Sequence, residues 1–415
     1  MPITTAPNER LHALDALRAG CLLLGIVLHG SMSFIPGAPY WVVRDMDATD
    51  PMAAVFFTIH TFRMTTFFVI AGFFARMMFH RLGAGGFVRD RARRILIPLV
   101  VGWLTVMPVF FAVSYWAMGH SYGPEIYRTP FGEAPSFSPR MIPLQHFWFL
   151  YLLTWFYALT VAVSWAMNRL DPGFAVGKLA HRAARRLMNS PFSVVVLALP
   201  AALALYSIPD WTMWGGVPAP DRGLAPNPQG FLCYAVAFGF GWIVHRQSDM
   251  LGVFKRWWLP NIIAGMVLTW FCLSISGHEP DQARAATGVT KFADALCYAL
   301  AGWTWTFGLI GAALRFLSGY SAIRRYLADA SYWMYLVHMP VVVALQGAVS
   351  RMEWHWALKF GFIMTVTVAV LLASYQLLVR NTVIGAVLNG KKRGKVLPVD
   401  PEPVVPLAPA PHTNA

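Results

Sequence analysis

LHALDALRAGCLLLGIVLHGSMSF, residues 11–34, is an apolar run long enough to cross a bilayer, and yet it carries Asp15, Arg18 and His29. A spanning helix needs about 20 mostly apolar residues, because no water in the hydrocarbon can satisfy an open backbone. Ionisable groups inside such a run are costly to bury and are functional candidates for that reason. Arg18 and His29 stand eleven residues apart. At ~100° and ~1.5 Å per residue they share nearly one face, roughly 16 Å apart along the axis. One face therefore offers a fixed cation near one membrane boundary and an imidazole toward the other half. Asp15, one turn before Arg18, is placed to orient the guanidinium by an i,i+3 contact. Taken singly, Arg18 could be a residue snorkelling to headgroups and His29 a packed, hydrogen-bonded ring; the pair at this spacing favours function.

The rest of the chain continues the pattern. Of 415 residues, 57% are hydrophobic and 13% charged, with mean hydropathy +0.51, too apolar for a soluble protein of this length. Ten stretches read as spans, at 14–35, 52–79, 95–117, 144–168, 191–208, 229–245, 258–276, 292–314, 327–349 and 356–379. The expected fold is all-α, a polytopic bundle of about ten transmembrane helices. A net charge of +14 raises nucleic acid as a partner, but the placement of the cations answers otherwise. With the N-terminus inside, the inward connections and tail hold 21 Lys and Arg and the outward connections 7. Positive-inside bias accounts for the charge, puts both termini in the cytoplasm and leaves no need for nucleic acid. The partner is the lipid bilayer.

The first apolar run is too long for a signal peptide and lacks a small-residue cleavage site, so it reads as a retained helix. Cys21, Cys233, Cys272 and Cys297 all fall inside spans and read as packing residues. No metal-ligand spacing, phosphate loop or internal repeat is present. Residues 1–385 form the membrane domain. Residues 386–415, basic and then proline-rich, read as a disordered cytoplasmic tail held near anionic headgroups.

Arg18-x10-His29 with the run LDALR, FFVIAGFF (67–74) and YWMYLVHMP (332–340) occur in one order. Together they resemble the signature of the acyltransferase-3 family of integral membrane acyltransferases, over about residues 10–380, with Ala71 where serine is frequent. Within that family, IHTFRMTTFFVIAGFF (59–74), RARRILIPL (91–99) and HFWFLYLLTW (146–155) resemble the branch associated with succinylation of osmoregulated periplasmic glucans. The resemblance implies a multi-pass protein of a bacterial inner membrane, an acyl-CoA donor (succinyl-CoA or acetyl-CoA), an envelope glycan as acceptor and glucan-synthesis proteins as partners. It implies no permanently bound cofactor.

On this reading His29 is the catalytic base, since imidazole titrates near neutrality and can take the acceptor hydroxyl's proton; an acyl-histidine is a less favoured variant. Arg18, Arg91 and Arg94 would hold the donor's phosphates, because guanidinium forks match phosphate. Arg91-x-x-Arg94 resembles a family motif for the donor's nucleotide end, although a positive-inside anchor would look the same. Arg63 lies too deep to snorkel easily, with His60 almost one turn before it. A succinyl carboxylate would suit Arg63, and so would an internal ion pair. His146, at the outer start of the fourth span with Trp148 and Tyr151, reads as the rim of a sugar mouth or as an interfacial anchor. His338 precedes Pro340, which can free carbonyls, and reads as a second polar group at the transfer centre or a structural histidine. Rival readings are an acetyltransferase for lipopolysaccharide or another envelope glycan, a secondary transporter, which would leave its cargo unmodified, and a membrane scaffold, which would tolerate loss of these charges.

Overall fold

The computed structural model describes residues 7–37, 41–129, 142–171, 173, 175–190, 192–220, 223–246 and 251–390. Among them the chain is helical with no strand. The helices are α1 (Pro7–Ser31), α2 (Asp50–Arg91), α3 (Ile97–Tyr122), α4 (Trp148–Leu170), α5 (Ala175–Met188), α6 (Ser193–Tyr206), α7 (Pro228–Arg246), α8 (Leu251–Ser276), α9 (Gly288–Phe316), α10 (Ala322–Val349), α11 (Trp356–Ser374) and α12 (Val383–Leu388). Each of the ten apolar segments contains one of them. Seven helical stretches among the described residues are long and apolar enough to cross a membrane, and the bent pair α5 and α6 makes an eighth if it is one span. The chain is a multi-pass membrane protein.

One of those stretches, Asp50–Tyr122, is 73 residues long and takes in two of the expected spans. A single straight helix of that length would overshoot the ~30 Å hydrocarbon core several times. It breaks at Gly83, whose backbone (φ 67, ψ 174) is barred to residues with a Cβ, and again at a π-turn over Ala92–Leu96. α12 runs across the expected domain boundary at 385/386, and the basic and proline-rich tail lies at 391–415, outside the described residues.

α1 lies between α2 and α10, and α10 also packs on α3 and α11; α7 packs on the other side of α2, and α8 pairs with α9. With lipid outside, close packing and not water exclusion holds such helices together, so small residues mark the tightest contacts. Between α2 and α7 the contact is reciprocal. A Cβ on Gly72 would collide with the Phe238 carbonyl, and one on Gly241 with the Val69 carbonyl. Because both obstacles are backbone, neither can swing aside. Gly241→Val is expected to destabilise the bundle by at least the ~1–3 kcal/mol typical of overpacking, read as a lower unfolding temperature in detergent micelles. Gly239→Ala, on the same helix with open space around it, should cost nothing; equal stability of the two variants would refute this packing.

Candidate active site

α10 organises the site because it presents polar groups every third residue along one side. Nearest its N-terminus, Tyr332 Oη donates to the Arg94 carbonyl (2.7 Å). One turn on, Tyr335 Oη donates to the His146 carbonyl (2.6 Å). A further turn on, His338 Nε2 meets His29 Nδ1 of α1 at 2.8 Å. Pro340 lacks an N–H, so the carbonyl four residues earlier, that of Leu336, has no helical donor. His146 Nε2 takes that place at 3.2 Å. The carbonyl freed by Pro340 thus becomes a docking point for a histidine from the turn before α4. His146 is 6% exposed and faces the bundle interior, so it is no interfacial anchor; with Trp148 it lines the cavity beside His29.

These bonds fix the tautomers. His338 Nδ1 lies 2.7 Å from the Tyr335 carbonyl, which can only accept. Nδ1 of a neutral His338 therefore carries the proton and Nε2 the lone pair. His29 must then donate from Nδ1 to His338, leaving His29 Nε2 as an unprotonated, available base. The same logic gives His146 its proton on Nε2, and its buried Nδ1 has no partner among the described residues.

His29 is held from its other sides too. Its ring stacks on Trp41 (centroids 6.1 Å apart, 17° between planes). Trp41 Nε1 donates to Gln346 Oε1 (3.0 Å), and Gln346 Nε2 donates to the carbonyls of His29 (2.9 Å) and Gly30 (3.1 Å). Gln346, 1% exposed, was a signal available in the sequence: an amide in an apolar run, two turns after His338. Trp41 offered none, since it lies in a connection without periodicity.

A cavity of about 200 Å³ opens beside His29, walled also by Trp41, His60, Arg63, His146 and Trp148. A smaller pocket of about 30 Å³ shares His29, Arg63 and His146 with it and reaches Cys21 and Tyr335. His60 stacks on Phe56 at 5.3 Å. Arg63 crosses to α1 at Gly25, where any Cβ would meet its guanidinium. Gly25 precedes His29 by one turn, roughly 6 Å along the axis. Arg63 Nε is buried without a hydrogen-bond partner, and no carboxylate pairs with Arg63 among the described residues. The internal ion pair weighed for Arg63 is not among the bonds formed there.

Arg18, Arg91 and Arg94 gather at the opposite end of α1, and each already holds a carboxylate. Arg18 pairs with Asp15 at 3.0 Å, and Asp15 also reaches Arg325 at 3.6 Å. Asp90 takes both Arg91 (2.5 Å) and Arg94 (3.0 Å), and the Arg91 guanidinium lies over the Tyr157 ring at 5.3 Å. Arg18 is near enough to Arg94 to be felt electrostatically. Asp90 escaped sequence reading because, between arginines, it looks like an ordinary surface acid; in the fold it holds both guanidiniums. Each guanidinium has five N–H donors, so a phosphate can join without displacing the carboxylate. Among the described residues no cluster of His, Cys, Asp and Glu could hold a metal ion.

The segment that carries all of these side chains, residues 11–374, matches the family model described as acyltransferase domain (Acyl_transf_3). The chain belongs to that family. It is 29% identical over 170 residues to glucans biosynthesis protein C of Escherichia coli K12, a match covering 40% of each chain. To the protein of the same name from Salmonella paratyphi B it is 30% identical over 180 residues, covering 41% of this chain and 43% of the relative. The chain thus aligns with less than half the length of these curated relatives. No solved structure matches it.

Proposed function

We propose that this protein is a membrane O-acyltransferase that moves an acyl group from cytoplasmic acyl-CoA to a hydroxyl of a periplasmic glycan. The observation that carries the proposal is the directed chain from Tyr335 O through His338 to His29, which leaves His29 Nε2 basic at the cavity wall. In the proposed reaction the acceptor hydroxyl attacks the thioester carbonyl and gives its proton to His29 Nε2. Collapse of the tetrahedral adduct breaks the C–S bond, and the departing thiolate takes the proton from His29 as the free thiol. The imidazolium formed in between is stabilised by a charge-assisted bond to His338. Arg18, Arg91 and Arg94 bind the donor's phosphates, and the pantetheine arm lies along α1 between them and His29. On this reading the chain crosses a bacterial inner membrane ten times with both termini in the cytoplasm, which would set the two clusters on the sides this reaction requires. The positive-inside bias supports that topology.

The glycan is proposed to be an osmoregulated periplasmic glucan, on the likeness to the glucan biosynthesis proteins, and the acyl group succinyl. Arg63 supports the second choice. A buried guanidinium without a counter-ion is costly, and it lies one turn from His29, a gap that a four-carbon diacid bridges and an acetyl group does not. Mass spectrometry of periplasmic oligosaccharides from cells with the intact protein, with Arg63→Leu, or with no copy tests both points. Succinylated glucan is expected in full with the intact protein, reduced with Arg63→Leu and absent with no copy. Arg63→Leu should lose succinyl transfer by ~10-fold or more, the cost of a missing charged hydrogen bond, and lose no acetyl transfer. Unmodified glucans in every strain would remove the glucan assignment.

A further inference from the structure

The connection between α6 and α7 separates two cavities. Its later residues, Val217 and Ala219, wall the His29 chamber. Its earlier residues, Trp211, Thr212 and Met213, wall a second cavity of about 240 Å³, completed by Ser276 at the end of α8 and by Gln282 and Asp294 before and within α9. The partition is built firmly. Trp211 Nε1 donates to the Gly216 carbonyl (2.7 Å) and Trp214 Nε1 to the Gly277 carbonyl (3.1 Å). The Lys291 ammonium, 8% exposed, donates to the carbonyls of Ile208 and of Pro209, the latter at 2.8 Å. Two of the three Lys291 N–H donors are thereby spent on the wall.

The groups left for a ligand include several acceptors beside the Thr212 hydroxyl and one Lys291 N–H. Asp294 is partly buried and makes no ion pair or hydrogen bond among the described residues. Gln282 uses its amide nitrogen on Glu279 (2.5 Å), so its carbonyl oxygen remains. Ser276 spends its proton on the Cys272 carbonyl (2.6 Å), leaving lone pairs. An acceptor-rich lining beside an indole and a thioether suits a molecule with many O–H donors and apolar C–H faces. A single carboxylate is too few for a hard cation, which takes about 6–8 oxygens. Arg284, exposed at the margin, and the charge of Lys291 are the groups that would favour an anion instead.

We infer that this second cavity is a sugar subsite: it holds a neutral pyranose of the acceptor glycan, away from the sugar being acylated, with Asp294 accepting from its hydroxyls. The inference rests on the acyl-transfer reading for the word acceptor, but its binding chemistry stands apart from it. The test is isothermal titration of the full-length protein in detergent micelles with short β-linked glucose oligosaccharides. Asp294→Asn, which keeps shape and volume, is expected to weaken binding ~10-fold. Gln282→Ala, on an exposed connection where it cannot harm the fold, should weaken it severalfold. Gly239→Ala, in open space on α7 and outside both cavities, should bind as the intact protein does. In acyl-transfer assays Asp294→Asn should raise the acceptor KM and leave kcat unchanged. No binding by the intact protein, or equal binding by Asp294→Asn and Gln282→Ala, overturns the subsite. Tighter binding of a sulfated oligosaccharide, lost in Arg284→Ala, overturns its neutrality. If binding follows the prediction and no acyl product forms, the acyl-transfer reading fails and the sugar site remains.

Discussion

Membranes carrying His29→Ala at matched protein levels should form acylated glycan ~10²–10⁴-fold more slowly than membranes with the intact protein, the range that a positioned general base contributes. The argument goes beyond the presence of a histidine. Without the His338 bond, neutral His29 would populate both tautomers, and the form protonated on Nε2 could not accept a proton from the acceptor. His338→Ala removes the acceptor for His29 Nδ1–H and leaves the ring free to turn, so it should cost about 10²-fold, as misorientation of a reacting group does. The two residues act as a unit, so the double variant should be no slower than His29→Ala alone. Full activity of His29→Ala would end the proposed mechanism. Additive losses would keep His29 as the base but remove His338 from its support.

How much of this was legible in the sequence depends on how local each signal was. The helices follow from apolar runs, and Arg18 and His29 share a face because one helix carries both. The likeness to the acyltransferase-3 family also rested on contiguous segments, and it holds across residues 11–374. What could not be read was which helices meet. His29 and His338 are 309 residues apart in the chain, and no periodicity within α1 or α10 says that one ring faces the other. His146 was only partly legible for the same reason. Its position at a span boundary suggests an interface, whereas the orphan carbonyl created by Pro340 on another helix draws it inward. Arg63 was legible as a problem, a cation too deep, but only packing reveals that α1 answers it with Gly25 and not with an acid. Of the three spans by which seven apolar stretches fall short of ten, continuity explains one: α2 and α3 join through a π-turn into one stretch, which a window of apolar residues divides and a hydrogen-bond ladder does not. The other two are α6, which counts only with α5 as a bent pair, and α7, which is not among the seven.

Lys359→Met is expected to destabilise the protein by ~3–5 kcal/mol, the cost of leaving a buried charge without its partner. Lys359, near the start of α11, is 0% exposed and its Nζ lies 2.7 Å from Asp45 Oδ1; Asp45 is 1% exposed. Nothing local marks this pair in the sequence, where Lys359 is a cation near a span end and Asp45 a loop acid. In the fold it ties the connection between α1 and α2 to α11. Asp45 Oδ1 also accepts from the Asp47 N–H (2.8 Å), Asp47 Oδ2 accepts from the Trp356 N–H (2.5 Å), and the Asp45 N–H donates to the Ser33 carbonyl (2.8 Å). That connection carries Trp41, which stacks on His29, so the loss should appear twice: as a lower unfolding temperature in micelles and as reduced acyl transfer. The double variant Lys359→Met with Asp45→Asn separates the two effects. It removes both charges, so stability should return to near that of the intact protein or exceed it, as replacement of buried ion pairs often does. Activity should recover with it only if the connection again holds Trp41 against His29. A single variant as stable as the intact protein would mean that Asp45 can find water when Lys359 is gone, and the connection would then owe its position to the Trp41, Gln346 and Tyr122 bonds and not to the buried pair.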